Sequence, residues 1–213
     1  MAIKALIFDF WGTLVENGVS SPLFSTYKIL RVPMPFSPFV IQFEETFFTR
    51  KFNDQTEGFV SVCDTFNVRP LPIVIDKLIG IWNKNKLLAK PYEDTIAGSK
   101  ALREKGFKLA LVSNAPMNSV EPVLEKFEMN DLFDVVHISS NTGILKQNPE
   151  IFDHLSKELG VTKDEMLMIG DSMETDIAGA EAAGVAAVLM DRRNTRKYER
   201  RADNLEGLAP YLQ

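Results

Sequence analysis

Apolar runs that suit β-strands alternate with segments of helical periodicity over most of the chain. The first run extends from Ile3 to Phe8 and is interrupted only by Lys4 and Ala5. A run that is apolar at successive positions predicts a strand buried on both faces, as in parallel sheets. Further strands are predicted, between helical segments, at residues 107–112, 135–139, 165–169 and 185–190. This β-α repetition predicts an α/β fold, a parallel sheet with helices on both faces.

The middle of the chain lacks strand patterns and predicts helices instead. Apolar residues recur with the spacing of an amphipathic helix at Phe36, Val40, Phe43 and Phe47. Two more helical patterns cover residues 57–66 and 73–88. This helical segment interrupts the α/β pattern after its first strand. The predicted division is a core domain of residues 1–16 and 91–213 and an all-helical insert of residues 17–90.

Composition and charge exclude several classes of protein. The chain has 213 residues, 45% of them hydrophobic and 25% charged, which is ordinary for a soluble globular protein. A net charge of −5 argues against nucleic acid as a partner. The single cysteine, Cys63, cannot form an internal disulfide. No apolar run approaches the length of a membrane span and no signal peptide opens the chain, so a cytoplasmic protein without a membrane partner is expected.

Polar side chains follow the predicted strands at the points where these end. Asp9 follows the first strand, Ser113 and Asn114 follow the second, and Asp171 follows a later one. The carboxyl ends of parallel strands meet at one edge of a sheet, where α/β proteins bind their ligands. Lys146, in a loop, and Asp176, five residues after Asp171, can reach the same edge, so the side chains are expected to share one crevice.

The charges in this crevice indicate a cation and an anionic substrate. Carboxylates crowded together raise each other's pKa unless a cation compensates. An all-oxygen donor set that includes Asp9 and Asp171 suits Mg²⁺ better than zinc. Lys146 and Ser113 supply the donors that a phosphoryl group needs. Phosphoryl transfer with an aspartyl nucleophile is therefore chemically coherent.

Four short motifs in this order resemble those of the haloacid dehalogenase (HAD) superfamily, in the subgroup with a helical cap inserted after the first motif. They are Asp9-Phe10-Trp11-Gly12-Thr13, Ser113-Asn114, Lys146 with Pro149, and Gly170-Asp171-Ser172-Met173-Glu174-Thr175-Asp176. The resemblance implies a Rossmann-like core and identifies the helical insert, residues 17–90, as the cap. It also implies a hydrolase that acts on a small molecule, as a monomer or homodimer.

The resemblance implies a role for each motif residue. Asp9 is the nucleophile that forms an aspartyl intermediate, and Lys146 steadies the charge of nucleophile and substrate. Ser113 and Asn114 bind the transferring group, and Trp11 and Thr13 line the substrate site. Asp9, Asp171 and the carbonyl oxygen of Trp11 hold Mg²⁺, which Asp176 supports directly or through water. A Mg²⁺-dependent phosphatase of a small phosphorylated metabolite is the favoured interpretation.

Trp11 departs from the family's phosphatase pattern. Those phosphatases usually carry a second aspartate two residues after the nucleophile, as general acid and then base. Tryptophan can do neither, and the lost assistance is typically worth about 10² to 10⁴ in rate. The sequence therefore predicts a slow phosphatase, one limited to good leaving groups, or one that borrows an acid from Glu16 or the cap.

Two alternatives follow from the same position. Haloacid dehalogenases also carry an aromatic residue there, need no acid for a halide leaving group and use no metal. They replace the first carboxylate of the fourth motif, however, whereas Asp171 is present here. They also use an arginine of the cap to receive the halide, for which Arg31 and Arg50 are candidates without a recognisable match. The second alternative is a catalytically idle binding protein that kept the pocket.

A basic run lies near the C-terminus. Arg192, Arg193, Arg196, Lys197, Arg200 and Arg201 follow the last predicted strand of the core. Such a run is expected to be a solvated surface. The other interpretation is a rim that attracts anions at the mouth of the substrate site.

Overall fold

The computed structural model describes residues 2–17 and 21–212 and places a six-stranded parallel sheet at their centre. The strands are β1 (Ala5–Phe8), β2 (Lys108–Ser113), β3 (Val135–Ile138), β4 (Met166–Gly170), β5 (Ala186–Met190) and β6 (Arg201–Ala202). Their order across the sheet is β3-β2-β1-β4-β5-β6, and every neighbouring pair is parallel. The predicted α/β fold is confirmed, with β6 as a short edge strand that the sequence pattern missed.

The first strand shows why a run of apolar residues makes a central strand here. Leu6 and Phe8 pack into the hydrophobic cluster on one face of the sheet, whereas Ala5 and Ile7 pack into the cluster on the other. All four side chains are fully buried. Because successive side chains of a strand point to opposite faces, both faces of β1 must be covered by helices.

Helices cover the sheet and form the insertion between β1 and β2. The chain between β1 and β2 contains α1 (Pro22–Leu30), α2 (Phe36–Phe47), α3 (Gln55–Thr65), α4 (Pro72–Leu87) and α5 (Thr95–Glu104), of which the first four lie within the helical insertion of residues 17–90. The later helices are α6 (Glu121–Lys126), α7 (Ser139–Thr142), α8 (Glu150–Leu159) and α9 (Ala178–Ala182). Short 3₁₀ helices lie at Asn130–Leu132, Lys163–Glu165 and Glu206–Tyr211. Among the described residues, no helix is both long enough and apolar enough to cross a bilayer.

The helices α1 to α4 share an aromatic core of their own. Phe43 stacks on Trp82 with ring centroids 5.6 Å apart, and Phe47 packs on Phe59 at 4.7 Å. The indole N–H of Trp82 donates to Thr26 Oγ1 at 3.0 Å, so the polar end of this half-buried ring is also satisfied. This cluster is separate from the two that flank the sheet. The division at residues 17 and 90 remains a prediction, and residues 18–20 beside its first boundary lie outside the described residues.

Local contacts explain how two helical segments begin. α1 begins at Pro22, which is tolerated at a first helical position, and Ser21 Oγ accepts from Phe24 N at 3.3 Å. The helical segment that follows β4 begins with a π-helical turn, Met173–Ile177, before α9. In that turn Ser172 N donates to Asp176 Oδ2 at 3.0 Å, which turns the carboxyl group back toward the end of β4.

Candidate functional site

The ends of β1 and β4 bring the predicted carboxylates together. These strands are neighbours, with Phe8 opposite Ile169, so Asp9 and Asp171 emerge side by side at the carboxyl edge. One ligand oxygen from each of Asp9, Asp171 and Asp176 lies within 4.8 Å of the others. The strand order reverses between β1 and β4, and such a switch point is where open α/β sheets bind ligands.

Lys146 lies inside this carboxylate cluster. Its Nζ is 2.5 Å from Asp9 Oδ1 and 2.7 Å from Asp176 Oδ1, and the residue is only 6% exposed. The other oxygen of Asp9 accepts a hydrogen bond from Thr13 Oγ1 at 3.1 Å. The backbone N–H of Lys146 donates to Asn114 Oδ1 at 2.8 Å. These contacts hold Asp9 in one orientation, which a nucleophile requires.

Burial shifts the pKa values of these groups. Burial raises the pKa of Asp9 to about 7, although the Lys146 ammonium acts in the opposite direction. Burial, with a further contribution from the charge of Asp176, raises the pKa of Asp171 to about 6. Burial disfavours the charged form of Lys146, but the carboxylates of Asp176 and Asp9 outweigh it and raise the lysine pKa. The cluster is therefore short of positive charge.

The donor set fits a divalent cation. Lys146 offsets one of the three negative charges, and Arg196, whose guanidinium binds the main-chain oxygen of Asp171, lies beside another. Asp176 Oδ1 is buried, and among the described residues its partner is the Lys146 ammonium at 2.7 Å, which it shares with Asp9. A hard cation can satisfy such an oxygen, and Asp9, Asp171 and Asp176 could hold one between them.

Two glycines make room for the carboxylates. Gly12 has a φ of +87°, and a Cβ there would lie 2.3 Å from Asp171 Oδ2. A Cβ at Gly170 would lie 2.2 Å from the carboxyl carbon of Asp176. Both distances are far below van der Waals contact, so only glycine lets the backbone pass this close to the acidic cluster.

The second-motif residues occupy different environments. Ser113 Oγ is buried, and within residues 2–17 and 21–212 it has no hydrogen-bond partner. Asn114 is fully engaged, because Nδ2 donates to Glu44 Oε2 at 3.0 Å and to Gln147 Oε1 at 2.9 Å while Oδ1 accepts from Lys146. Asn114 therefore fixes the position of the loop that carries Lys146. The hydroxyl of Ser113 remains available to donate a hydrogen bond to a bound ligand.

Glu44 is a residue near the site that the sequence analysis missed. It lies on α2 of the insertion, is 9% exposed and reaches the loop ends that carry Asn114 and Gln147. Its signal in the sequence is an acidic residue next to Phe43 on a helix whose buried side is mostly aromatic. That pattern indicates that Glu44 is buried, but it does not indicate which part of the protein covers the residue.

A cavity of about 660 Å³ opens beside Asp171, and part of the basic run lies on its wall. Its lining includes Gly12, Glu16, Tyr92, Asp171, Arg192, Arg193 and Arg196. Arg192 is not solvated, because its side chain is 7% exposed, pairs with Asp94 at 2.8 Å and lies over the Tyr92 ring. The expectation of a solvated surface was wrong for this residue, since the fold brings the segment back against the first motif.

Trp11 stands at the other side of the cluster. Its ring packs edge-on against Phe10 with centroids 5.1 Å apart. It lines a smaller cavity of about 160 Å³ together with Phe48 and Trp82 of the insertion and Asn114 of the second motif. The side chain is therefore a wall between the insertion and the sheet edge.

Comparisons with known proteins agree with the geometry. A family model described as "Hydrolase: haloacid dehalogenase-like hydrolase" matches residues 3–184. Glyceraldehyde 3-phosphate phosphatase of Methanopyrus kandleri is 36% identical over 136 residues, which are 63% of this chain and 58% of that protein. Pyrophosphatase PpaX of Halalkalibacterium halodurans is 28% identical over 198 residues, which are 89% of this chain and 84% of that protein.

A solved structure shares the fold over its whole length. The crystal structure of a HAD phosphatase from Thermococcus onnurineus has a TM-score of 0.65 and 24% sequence identity, over 99% of this chain and 98% of that one. The match of the family model includes all four motifs, from Asp9 to Asp176. The chain belongs to the family of haloacid dehalogenase-like hydrolases.

Proposed function

We propose that the protein is a Mg²⁺-dependent phosphatase that hydrolyses a small phosphomonoester through an aspartyl phosphate on Asp9. The observation that carries this proposal is the buried cluster in which Asp9, Asp171 and Asp176 approach within 4.8 Å while Lys146 holds Asp9. The two relatives described above act, by their names, on glyceraldehyde 3-phosphate and on pyrophosphate. Both names support phosphate ester or anhydride chemistry on a small molecule.

The chain's own residues supply the chemical steps. An oxygen of Asp9 attacks phosphorus, the bond from phosphorus to the leaving oxygen breaks, and its electron pair stays on that oxygen. Lys146 and the hydroxyl of Ser113 donate to the phosphoryl oxygens, where negative charge accumulates. Water then attacks phosphorus and returns Asp9 as a carboxylate. Mg²⁺ held by Asp9, Asp171, Asp176 and the carbonyl oxygen of Trp11 would neutralise charge on the phosphoryl group.

A dehalogenase is the second candidate, since Trp11 puts an aromatic residue where those enzymes have one. The position of Asp171 beside Asp9 counts against it, because those enzymes replace the first carboxylate of the fourth motif. Arg31 and Arg50 are exposed, and among the described residues neither lines the cavities beside Asp171 and Trp11. An idle binding protein would not need the complete set of Asp9, Lys146 and Asp171.

One pair of assays separates these candidates. Phosphate release from p-nitrophenyl phosphate is measured beside chloride release from 2-chloropropionate, each with Mg²⁺ and with EDTA. We expect phosphate release alone, falling at least about 100-fold in EDTA, because metal stabilisation of several kcal/mol converts at 1.36 kcal/mol per tenfold. Chloride release that persists in EDTA would establish the dehalogenase, and activity in neither assay would favour the idle protein.

The fate of oxygen in H₂¹⁸O tests the intermediate. In a single turnover we expect ¹⁸O in the released phosphate and none in Asp9, because water attacks phosphorus. An ester on Asp9 that is attacked at its carbonyl carbon, as dehalogenation requires, would transfer the label to Asp9. Mass spectrometry of the peptide containing Asp9 reads both outcomes.

The substitution Gly12→Ala should weaken Mg²⁺ binding by at least about tenfold, since one misplaced ligand costs more than about 1.4 kcal/mol. The reason is that the new Cβ would lie 2.3 Å from Asp171 Oδ2, in a backbone conformation with φ of +87°. The measurement is the Mg²⁺ concentration that gives half-maximal activity. Gly80→Ala is the control, because a Cβ at Gly80 on α4 would meet nothing within 4 Å. Equal Mg²⁺ dependence in the two variants would contradict the proposed metal site.

A further inference from the structure

A phosphatase with Trp11 in its first motif needs an acid from elsewhere. An alkoxide leaving group is a poor one unless it takes a proton as its bond to phosphorus breaks. Tryptophan offers an N–H without useful acidity. Glu16, one of the candidates from the sequence, lines the open cavity beside Asp171.

Glu44 is the shielded carboxyl group on the insertion side of the site. It is 9% exposed, and its Oε2 accepts hydrogen bonds from Asn114 Nδ2 at 3.0 Å and from Gln147 Nε2 at 3.5 Å. Asn114 in turn accepts from the backbone of Lys146, whose ammonium binds Asp9. Glu44 is thus two hydrogen-bonded residues away from the nucleophile and approaches from the side of α2.

Burial is the largest influence on the Glu44 carboxyl group and raises its pKa. The charge of Lys146 and the amide N–H groups of Asn114 and Gln147 lower this pKa, while the carboxylate of Asp176 raises it. Among the described residues no lysine or arginine forms an ion pair with Glu44. A buried carboxyl group without a cation in contact costs stability, so its presence on the buried side of α2 calls for a functional explanation.

We propose that Glu44 is the general acid of the phosphatase, supplied by the helical insertion in place of the missing first-motif aspartate. This inference rests on the proposed phosphatase function. As Asp9 attacks phosphorus and the bond to the leaving oxygen breaks, Glu44 gives its proton to that oxygen and becomes a carboxylate. Glu44 then takes a proton from the attacking water, and phosphate leaves Asp9 as the bond between phosphorus and the aspartyl oxygen breaks. The cycle consumes one water and releases one alcohol and one phosphate.

The test compares Glu44→Gln with the wild-type enzyme on two leaving groups. Glutamine keeps a hydrogen-bond acceptor for Asn114 but cannot donate an acidic proton. For glycerol phosphate, which must release an alkoxide, we expect kcat/KM to fall about 10² to 10⁴-fold. For p-nitrophenyl phosphate, whose phenolate leaves without a proton, kcat/KM should change less than about tenfold. The exposed neighbour Glu45 provides the matched control, since Glu45→Gln should alter neither value.

The second half-reaction gives an independent readout. Without a base for the water, the aspartyl phosphate should accumulate, so Glu44→Gln should release p-nitrophenol in a burst of one equivalent followed by a slow steady state. A merely structural role would lower both phases together. Adding Trp11→Asp to Glu44→Gln should restore turnover of glycerol phosphate by returning an acid to the first motif.

The outcomes distinguish this inference from the proposed function. If the wild-type enzyme releases phosphate from neither compound, the phosphatase proposal is wrong and the role of Glu44 falls with it. If the wild-type enzyme is active and Glu44→Gln lowers kcat/KM equally for both compounds, or for neither, only the role of Glu44 is overturned. Should Glu44→Gln not fold, wild-type kcat/KM across substituted phenyl phosphates decides, because protonation makes the dependence on leaving-group basicity shallow and a steep dependence excludes an acid.

Discussion

Replacing Asp9 by asparagine should abolish phosphate release, with kcat falling by more than about 10³-fold, because enzymes that lose their nucleophile keep only binding and electrostatic assistance. The amide oxygen of asparagine cannot form the aspartyl phosphate. The substitution also removes one negative charge from the three carboxylates, whose ligand oxygens lie within 4.8 Å of one another. The measurement is kcat on p-nitrophenyl phosphate in saturating Mg²⁺, with thermal unfolding to show that the variant is folded.

The control for Asp9→Asn is Asp153→Asn. Asp153 is 56% exposed and pairs with Lys163 on the surface, so its loss should leave kcat unchanged. An Asp9→Asn variant with more than a tenth of wild-type activity would contradict covalent catalysis by this residue. Such a result would point to direct attack of water on the substrate, with the acidic cluster acting only as a metal site.

Lys146→Met should be the most destabilising of the single changes considered, by about 3–5 kcal/mol, the usual cost of removing one partner from a buried ion pair. The ammonium lies 2.5 Å from Asp9 and 2.7 Å from Asp176, and methionine would leave both carboxylates buried without it. Urea unfolding at neutral pH measures the loss. Lys163→Met, which breaks the exposed pair with Asp153, should cost less than about 1 kcal/mol.

The pH dependence gives Lys146→Met a second test. The pKa of Asp9 is already raised to about 7 by burial against the pull of Lys146, and loss of the ammonium raises it further. A carboxyl group whose folded-state pKa is raised binds its proton more tightly in the folded protein than in the unfolded chain. Such a group therefore lowers the free energy of unfolding at high pH, and this loss disappears as the pH falls through the raised pKa. The difference in unfolding free energy between wild type and variant should therefore shrink from about pH 8 to about pH 5. A difference that is constant over this range would mean that Lys146 acts through packing alone.

The central sheet and the acidic site were predictable from the sequence because each depends on local patterns. A strand such as β1, with Leu6 and Phe8 on one face and Ala5 and Ile7 on the other, is apolar at every position only if both faces are covered. Asp9 and Asp171 directly follow such strands, and parallel pairing brings strand ends together whatever the intervening chain does. The order of the strands across the sheet, and the edge strand β6, came only from the structure.

Two features of the site were not predictable from the sequence pattern. The π-helical turn at Met173–Ile177 includes a contact from Ser172 N to Asp176, which helical periodicity does not encode. Arg192 carries the sequence signal of a surface charge, yet it pairs with Asp94 and donates to the carbonyl oxygen of Thr13. These two contacts of Arg192 join positions about a hundred residues or more apart, and sequence spacing contains no information about them.

The sequence by itself determined the fold class, the family and the set of reactive carboxylates. The reason is that the burial of a strand and the polar groups at its end depend on residues that are adjacent in the sequence. Only the tertiary structure decided that Lys146 pairs with both Asp9 and Asp176. It also decided that Asn114 binds the backbone of Lys146 and that Glu44 of α2 accepts hydrogen bonds from Asn114 and Gln147. The physical reason is that packing of the insertion against the sheet edge selects these contacts. That packing depends on the shapes of two hydrophobic clusters, one on the sheet and one in the insertion, rather than on any local pattern.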